Sequence, residues 1–224
     1  MCKAAVFVTA VTINPAPADA GSAVTPTLVR LASTRATGEV TLYNGGTTPM
    51  LVEASAVSWT QPDGRDAFAP TEDFVVAPAI IEVRPGSGQI FRVRARVSPD
   101  GRERTYRLRL EDITPAQPGG GVGMRIRHDL PLILSAPGGK ADLVFGRCPE
   151  RPAGCLRATN RGTALARITG MTLSGSSGTK NLDGVTTILA GSWHEWAVPA
   201  AVGQPLQVQA QTAQGPITAT IAQL

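Results

Sequence analysis

The chain has 224 residues, with 24 Gly and 18 Pro, 42% hydrophobic and 4% aromatic content, and a formal charge of +4. That is too apolar for a disordered chain and too rich in Gly and Pro for long helices. No stretch sustains a 3.6-residue period, which excludes a helical bundle or coiled coil; Val- and Thr-rich runs between turn residues read as all-β.

Met1 to Ala20 reads as a cleavable signal peptide. Lys3 gives a short positive region, Ala4 to Ile13 is mostly apolar, and Ala18-Asp19-Ala20 has the small-x-small pattern of a cleavage point. A frayed tail or a mis-assigned start is the alternative. Cleavage removes one Lys, one Asp and Cys2, so the net charge is unchanged and two cysteines remain, Cys148 and Cys155. An even cysteine count in an exported chain favours a disulfide between them, whereas a metal site would need more ligands nearby. No later segment is apolar enough to cross a membrane as a helix.

From residue 21 to 136 short apolar runs alternate with turn signals. Val40 to Tyr43 ends at Asn44-Gly45-Gly46, Leu51 to Trp59 at Gln61-Pro62-Asp63-Gly64, and Ala79 to Val83 at Arg84-Pro85-Gly86. Ile90 to Val97 places Ile90, Arg92, Arg94 and Arg96 on one face and Phe91, Val93, Ala95 and Val97 on the other. After the turn Ser98-Pro99-Asp100-Gly101, Tyr106, Leu108 and Leu110 alternate with Arg107, Arg109 and Glu111. A Pro/Gly stretch from Thr114 to Gly121 then leads into Val122 to Leu134. Seven strands at this spacing fit an immunoglobulin-like sandwich of about 100 residues. Ala136-Pro137-Gly138-Gly139 reads as a linker, and strands restart beyond it, so residues 137 to 224 form a smaller second sandwich. Val40-x-Leu42-x-Asn44-x-Gly46-Thr47 echoes Leu156-x-Ala158-x-Asn160-x-Gly162-Thr163, the same strand-to-turn step in each half.

Catalytic signatures are missing. The chain has two histidines, His128 and His194, and no nucleophile elbow or nucleotide-binding glycine pattern. Glu72-Asp73 and Glu111-Asp112 are adjacent pairs, whose members point to opposite strand faces. This points to a binding protein rather than an enzyme, with no cofactor and no metal. The arginine rows (Arg92, Arg94, Arg96; Arg107, Arg109; Arg125, Arg127) are either a solvated face or a cationic cleft for a carboxylate. Nucleic acid is a poor fit, because aromatic residues for base stacking are scarce.

In the order of its motifs the mature chain resembles PapD-like periplasmic pilus assembly chaperones. The similarity is carried by Leu42-x-Asn44-x-Gly46, Trp59-Thr60-Gln61 with Asp63-Gly64, Val83-Arg84-Pro85-Gly86 through Arg92-Val93, and Glu103-x-x-Tyr106-Arg107-Leu108. Gly121 to Ile126, Asn160-x-Gly162 and Leu189-Ala190-Gly191-Ser192-x-x-x-Trp196 continue it. The Trp-Thr-Gln and Tyr-Arg-Leu segments resemble the archaic branch most. The resemblance implies two immunoglobulin-like sandwiches in an L-shaped arrangement. It also implies donor-strand complementation of pilus subunits and their delivery to an outer-membrane usher, without membrane insertion. The lent strand would present Val122, Met124 and Ile126, which share one face; burying all three is worth roughly 5–9 kcal/mol before the costs of association. The alternative places this triplet in the domain's own core, as in a two-domain surface structural or adhesive protein. The family also grips the subunit's terminal carboxylate between cations. Here the usual first-strand Arg falls at Leu28 and the usual Lys near Pro131-Leu132, which leaves Arg92 and Arg107, with Arg30 and Arg125, as candidates. Arg92 could instead pair internally with Glu103, as a similar pair does in relatives.

Overall fold

The computed structural model describes residues 21–32, 36–115, 125–151 and 154–221. In the first half the strands are β1 (Ser22–Thr25), β2 (Val29–Leu31), β3 (Thr37–Asn44), β4 (Met50–Thr60), β5 (Ala67–Pro70), β6 (Phe74–Ala77), β7 (Ile80–Val83), β8 (Gly88–Ala95), β9 (Arg104–Asp112) and β10 (Arg127–Leu134). They form two sheets, ordered β1-β3-β8-β6 and β2-β10-β9-β4-β5, with β7 also pairing β4. The chain changes sheet early: β1 pairs β3, the backbone turns at the cis Thr25-Pro26 bond, and β2 then pairs in parallel with the end of β10.

The alternation read from the sequence decides which faces meet. On β8, Phe91, Val93 and Ala95 are buried while Ile90, Arg92 and Arg94 are exposed. On β9, Tyr106, Leu108 and Leu110 point inward. Together with Val40, Leu42, Val52, Leu130, Leu132 and Leu134 these residues fill the space between the two sheets. Several strands escape the sequence reading: β1, β2, β5 and β6 have only three or four residues each, too few for an alternation to stand out.

The second half contains β11 (Leu143–Arg147), β12 (Cys155–Asn160), β13 (Ala166–Gly175), β14 (Gly178–Leu182), β15 (Thr186–Ile188), β16 (Trp193–Ala197), β17 (Leu206–Thr212) and β18 (Gly215–Ile221). They form a sheet β11-β12-β16 and a sheet β14-β13-β17-β18, to which β15 adds through β13. A separate core lies between them, built on Leu156, Ile168, Leu173, Ile188, Leu206 and Val208. Two cores and two pairs of sheets make two immunoglobulin-like sandwiches. Cys148 and Cys155 are joined by a disulfide with a Cα–Cα distance of 5.5 Å, stapling the β11–β12 connection.

The internal echo is structural. Asn44 and Asn160 are the two buried polar residues among those described. The Asn44 side-chain amide donates to the carbonyls of Thr48 and Val83 at 2.9 and 3.0 Å, and its Oδ1 accepts the Gly46 N–H at 3.0 Å. Asn160 does the same toward Ala164 and Ile188 at 2.8 and 3.0 Å, and accepts the Gly162 N–H at 3.0 Å. Each asparagine ties its turn to a neighbouring strand, so the same corner is built once per domain.

Candidate functional site: an open strand edge and an arginine shelf

β10 pairs antiparallel with β9 along its whole length, from Arg127↔Glu111 to Leu134↔Arg104. Just before it, the Asp112 N–H donates to the Ile126 carbonyl at 3.0 Å. In an antiparallel ladder the residues alternate between bonding inward and turning away. The even-numbered residues from Ile126 onward therefore bond to β9, and the odd-numbered ones face the other edge. At the far end that edge is occupied: β2 pairs with Leu132–Leu134, and the Ser135 N–H donates to the Leu31 carbonyl at 2.8 Å. Along Arg127, Asp129 and Pro131 no described strand pairs with it. Pro131 has no N–H to leave unpaired, which suits an edge position.

Val122 and Met124 lie outside the described residues. Ile126 is half-buried and its side chain reaches toward Gly21 at the start of β1, where an added Cβ would meet its Cδ1 at 3.3 Å. Arg125 is exposed at the same end of the strand.

The face of β9 turned away from the core carries Arg107 and Arg109. Opposite them, the two-residue period of β4 brings Val57 and Trp59 to that same face. The Arg107 guanidinium lies 3.9 Å from the centroid of the Trp59 ring and 5.9 Å from that of Phe68. Arg109 sits 5.3 Å over Phe68 and pairs with Asp129 at 3.4 Å. Trp59 is held in turn by its Nε1–H, which donates to Asp66 Oδ1 at 2.9 Å. Burial pulls the Arg107 pKa below the ordinary guanidinium value, against the attraction of Asp129 and Asp66. It remains a cation at any physiological pH. Among the described residues its guanidinium makes one hydrogen bond, a 3.5 Å contact to the Asp129 carbonyl, while its Nε and the Asp129 Oδ1 are buried without partners there. A half-satisfied, partly desolvated guanidinium on an aromatic shelf is well disposed to take a carboxylate.

The other arginines singled out from the sequence lie elsewhere. Arg92 projects from β8 in the opposite sheet and pairs with Glu39 at 2.9 Å, because the β3–β8 register sets the two directly across from one another. The suggested Arg92–Glu103 pair is therefore not formed. Glu103 is taken by Arg30, which also donates to Ser135 Oγ at 3.0 Å. Glu103 then reaches into the second domain: its carboxylate accepts the Leu165 N–H at 2.8 Å, and its own N–H donates to the Thr163 carbonyl at 2.8 Å. Arg30 thus serves the join between the domains. Beside this join runs a crevice of about 390 Å³, lined by Trp59, Gln61, Glu103, Leu189 and Ser192.

Sequence reasoning singled out Arg107 as one of several candidates but missed its setting. Trp59, Asp66 and Phe68 belong to the β4–β5 hairpin and Asp129 to β10, and the strand register sets both beside Arg107 on β9. The visible signal was Trp59-Thr60-Gln61, whose Trp falls on the outer face of β4. Cys148, Cys155 and Glu195 bring three ligand atoms within 4.8 Å, but both sulfurs are committed to the disulfide.

Residues 21–139 match the family model described as pili and flagellar-assembly chaperone, PapD N-terminal domain. The chain belongs to this family of pilus assembly chaperones. Solved structures share the two-sandwich fold. A chaperone–tip adhesion subunit pre-assembly complex from the archaic Csu pili of Acinetobacter baumannii is 17% identical, with 92% of this chain and 100% of that chain covered and a TM-score of 0.68. The CupB2 chaperone of Pseudomonas aeruginosa is 19% identical over 89% of this chain and 99% of that one, with a TM-score of 0.63. The Salmonella enterica SafA pilin in complex with the SafB chaperone gives 15% identity, 89% and 96% coverage, and a TM-score of 0.64. No curated protein matches the chain. No helix of the described residues is long and apolar enough to cross a membrane.

Proposed function

We propose that this chain is a periplasmic chaperone that takes up pilus subunits by lending them the open edge of β10, and hands them to an outer-membrane usher. The observation that carries this reading is the unpaired edge along Arg127, Asp129 and Pro131, continuous in sequence with the alternating Val122, Met124 and Ile126. An incomplete sandwich that paired there would gain main-chain hydrogen bonds, and the apolar triplet would fill its groove. The family match and the complexes with pilin and tip subunits support it. The rival reading, a surface structural or adhesive protein, requires this edge to be covered within its own sheet, and no observation favours it. The working division is a signal peptide over residues 1–20, a subunit-binding domain over 21–136 and a second domain over 137–224.

Of the four candidate anchors, Arg107 fits a terminal carboxylate best. Arg92 and Arg30 are already neutralised by Glu39 and Glu103, and Arg125 stands on open surface. A charge-assisted bond is worth about 1.5–3 kcal/mol, so Arg107→Ala should weaken subunit binding by roughly ten- to a hundredfold. Met124→Asp should abolish co-purification of a co-expressed pilus subunit while leaving the thermal midpoint of the free chaperone unchanged. Capture that survives Met124→Asp contradicts the donor-strand assignment.

A further inference from the structure

The Trp59-Thr60-Gln61 motif does more than end β4. The Gln61 side-chain amide makes three hydrogen bonds, two of them across the domain boundary. Its Nε2 donates to the Thr187 carbonyl at 2.8 Å, and its Oε1 accepts the Leu189 N–H at 2.8 Å. That is the pattern a neighbouring strand would make with the two residues flanking Ile188, supplied here by one side chain. The second Nε2 proton goes to Asp66 Oδ1 at 2.9 Å, the same oxygen that receives Trp59 Nε1–H at 2.9 Å. Trp59 is the shelf on which Arg107 lies, 3.9 Å away. An unbroken path thus runs from the second domain's backbone through Gln61, Asp66 and Trp59 to Arg107.

The turn that follows reinforces the join. Gly64 has φ +71°, and a Cβ there would come within 2.7 Å of the Trp193 ring of β16. Trp193 carries the Arg157 guanidinium 3.9 Å from its ring centroid, and Arg157 in turn pairs with Glu195 at 2.7 Å.

We infer that Gln61 is a positioning residue for the Arg107 site: it fixes the second domain against the first and, through Asp66 and Trp59, holds the guanidinium in place before any partner arrives. Its consequence for subunit binding rests on the carboxylate reading above, but the inference is tested on the free chain. In the wild type, backbone residual dipolar couplings from both domains should fit one alignment tensor, and the unpartnered Arg107 Nε–H should exchange slowly. Gln61→Ala should give two distinct tensors and speed that exchange by roughly fivefold or more, the effect of losing a hydrogen bond worth about 1 kcal/mol. Gln61→Glu keeps the size and the Leu189 contact but loses both donors and sets a carboxylate against Asp66; it should move both readouts the same way. A single tensor with unchanged Arg107 exchange in both variants overturns the inference. So does a change in domain alignment that leaves Arg107 untouched, because Gln61 would then act on the hinge alone. Failure of the carboxylate reading would appear separately, as subunit binding indifferent to Arg107→Ala.

Discussion

Single side chains set the corners and the charge balance of this protein. Replacing Asn160 by Ala strands the buried carbonyls of Ala164 and Ile188, each costing about 1–3 kcal/mol. The expected loss is about 2–6 kcal/mol, read as a lower urea midpoint at unchanged m-value; Asn44→Ala should cost a comparable amount through its two carbonyl bonds, while Asn160 Oδ1 accepts the Asp142 N–H at 3.1 Å in addition. A loss below about 0.5 kcal/mol at both positions would contradict the capping role. The histidines give a pH dependence of known sign. Burial lowers the pKa of His128, and that of His194 despite the opposing pull of Asp66 and Glu195. The unfolded chain therefore binds protons first: stability is full above the ordinary histidine value of about 6.5 and falls as pH drops below it toward the lowered folded values. Urea midpoints measured from pH 7.5 to 5.5 should decline, and the decline should be shallower in His128→Asn. An unchanged slope would mean that His128 titrates alike in both states. The Asn44 and Asn160 turns were legible in the sequence because part of their bonding is local, spanning two to four residues within the turn; their bonds to Val83 and Ile188, 39 and 28 residues away, were not. The fates of Arg30 and Arg92 were not, because their acidic partners lie 73 and 53 residues away and only strand register unites them.

At the scale of elements, the long strands announced themselves and the short ones did not. β8 and β9 each carry three or more inward apolar residues at strict alternation, which fixes their faces. β2, with three residues, shows no pattern, yet it bounds the candidate site: by pairing with Leu132–Leu134 it closes one part of the β10 edge, and among the described residues no strand pairs with the part before it. Arg107 likewise gains its character from its neighbours. The sequence marks it as one of several arginines on alternating strand positions. The packing of Trp59 beneath it and the missing partner at its Nε separate it from Arg92, which sits in the other sheet with its own acid. The Arg107→Ala binding experiment is thus a test of element placement as much as of charge.

At the scale of the whole molecule, the contacts by which the two sandwiches meet include Glu103 with Thr163 and Leu165, Gln61 with Thr187 and Leu189, and Gly64 against Trp193. The division into two β-sandwiches could be read from turn spacing and the Asn-x-Gly echo. Their mutual fixation could not, because it depends on an amide and a carboxylate whose partners are backbone groups and leave no trace in residue type. The central claim is that β10 offers an edge for a partner's strand, and amide hydrogen exchange at Arg127 and Asp129 tests it most directly. Both N–H groups should exchange fast in the free chaperone and slow by orders of magnitude in a co-purified complex with a pilus subunit. Strong protection of these two amides in the free protein, or none in the complex, would contradict the account.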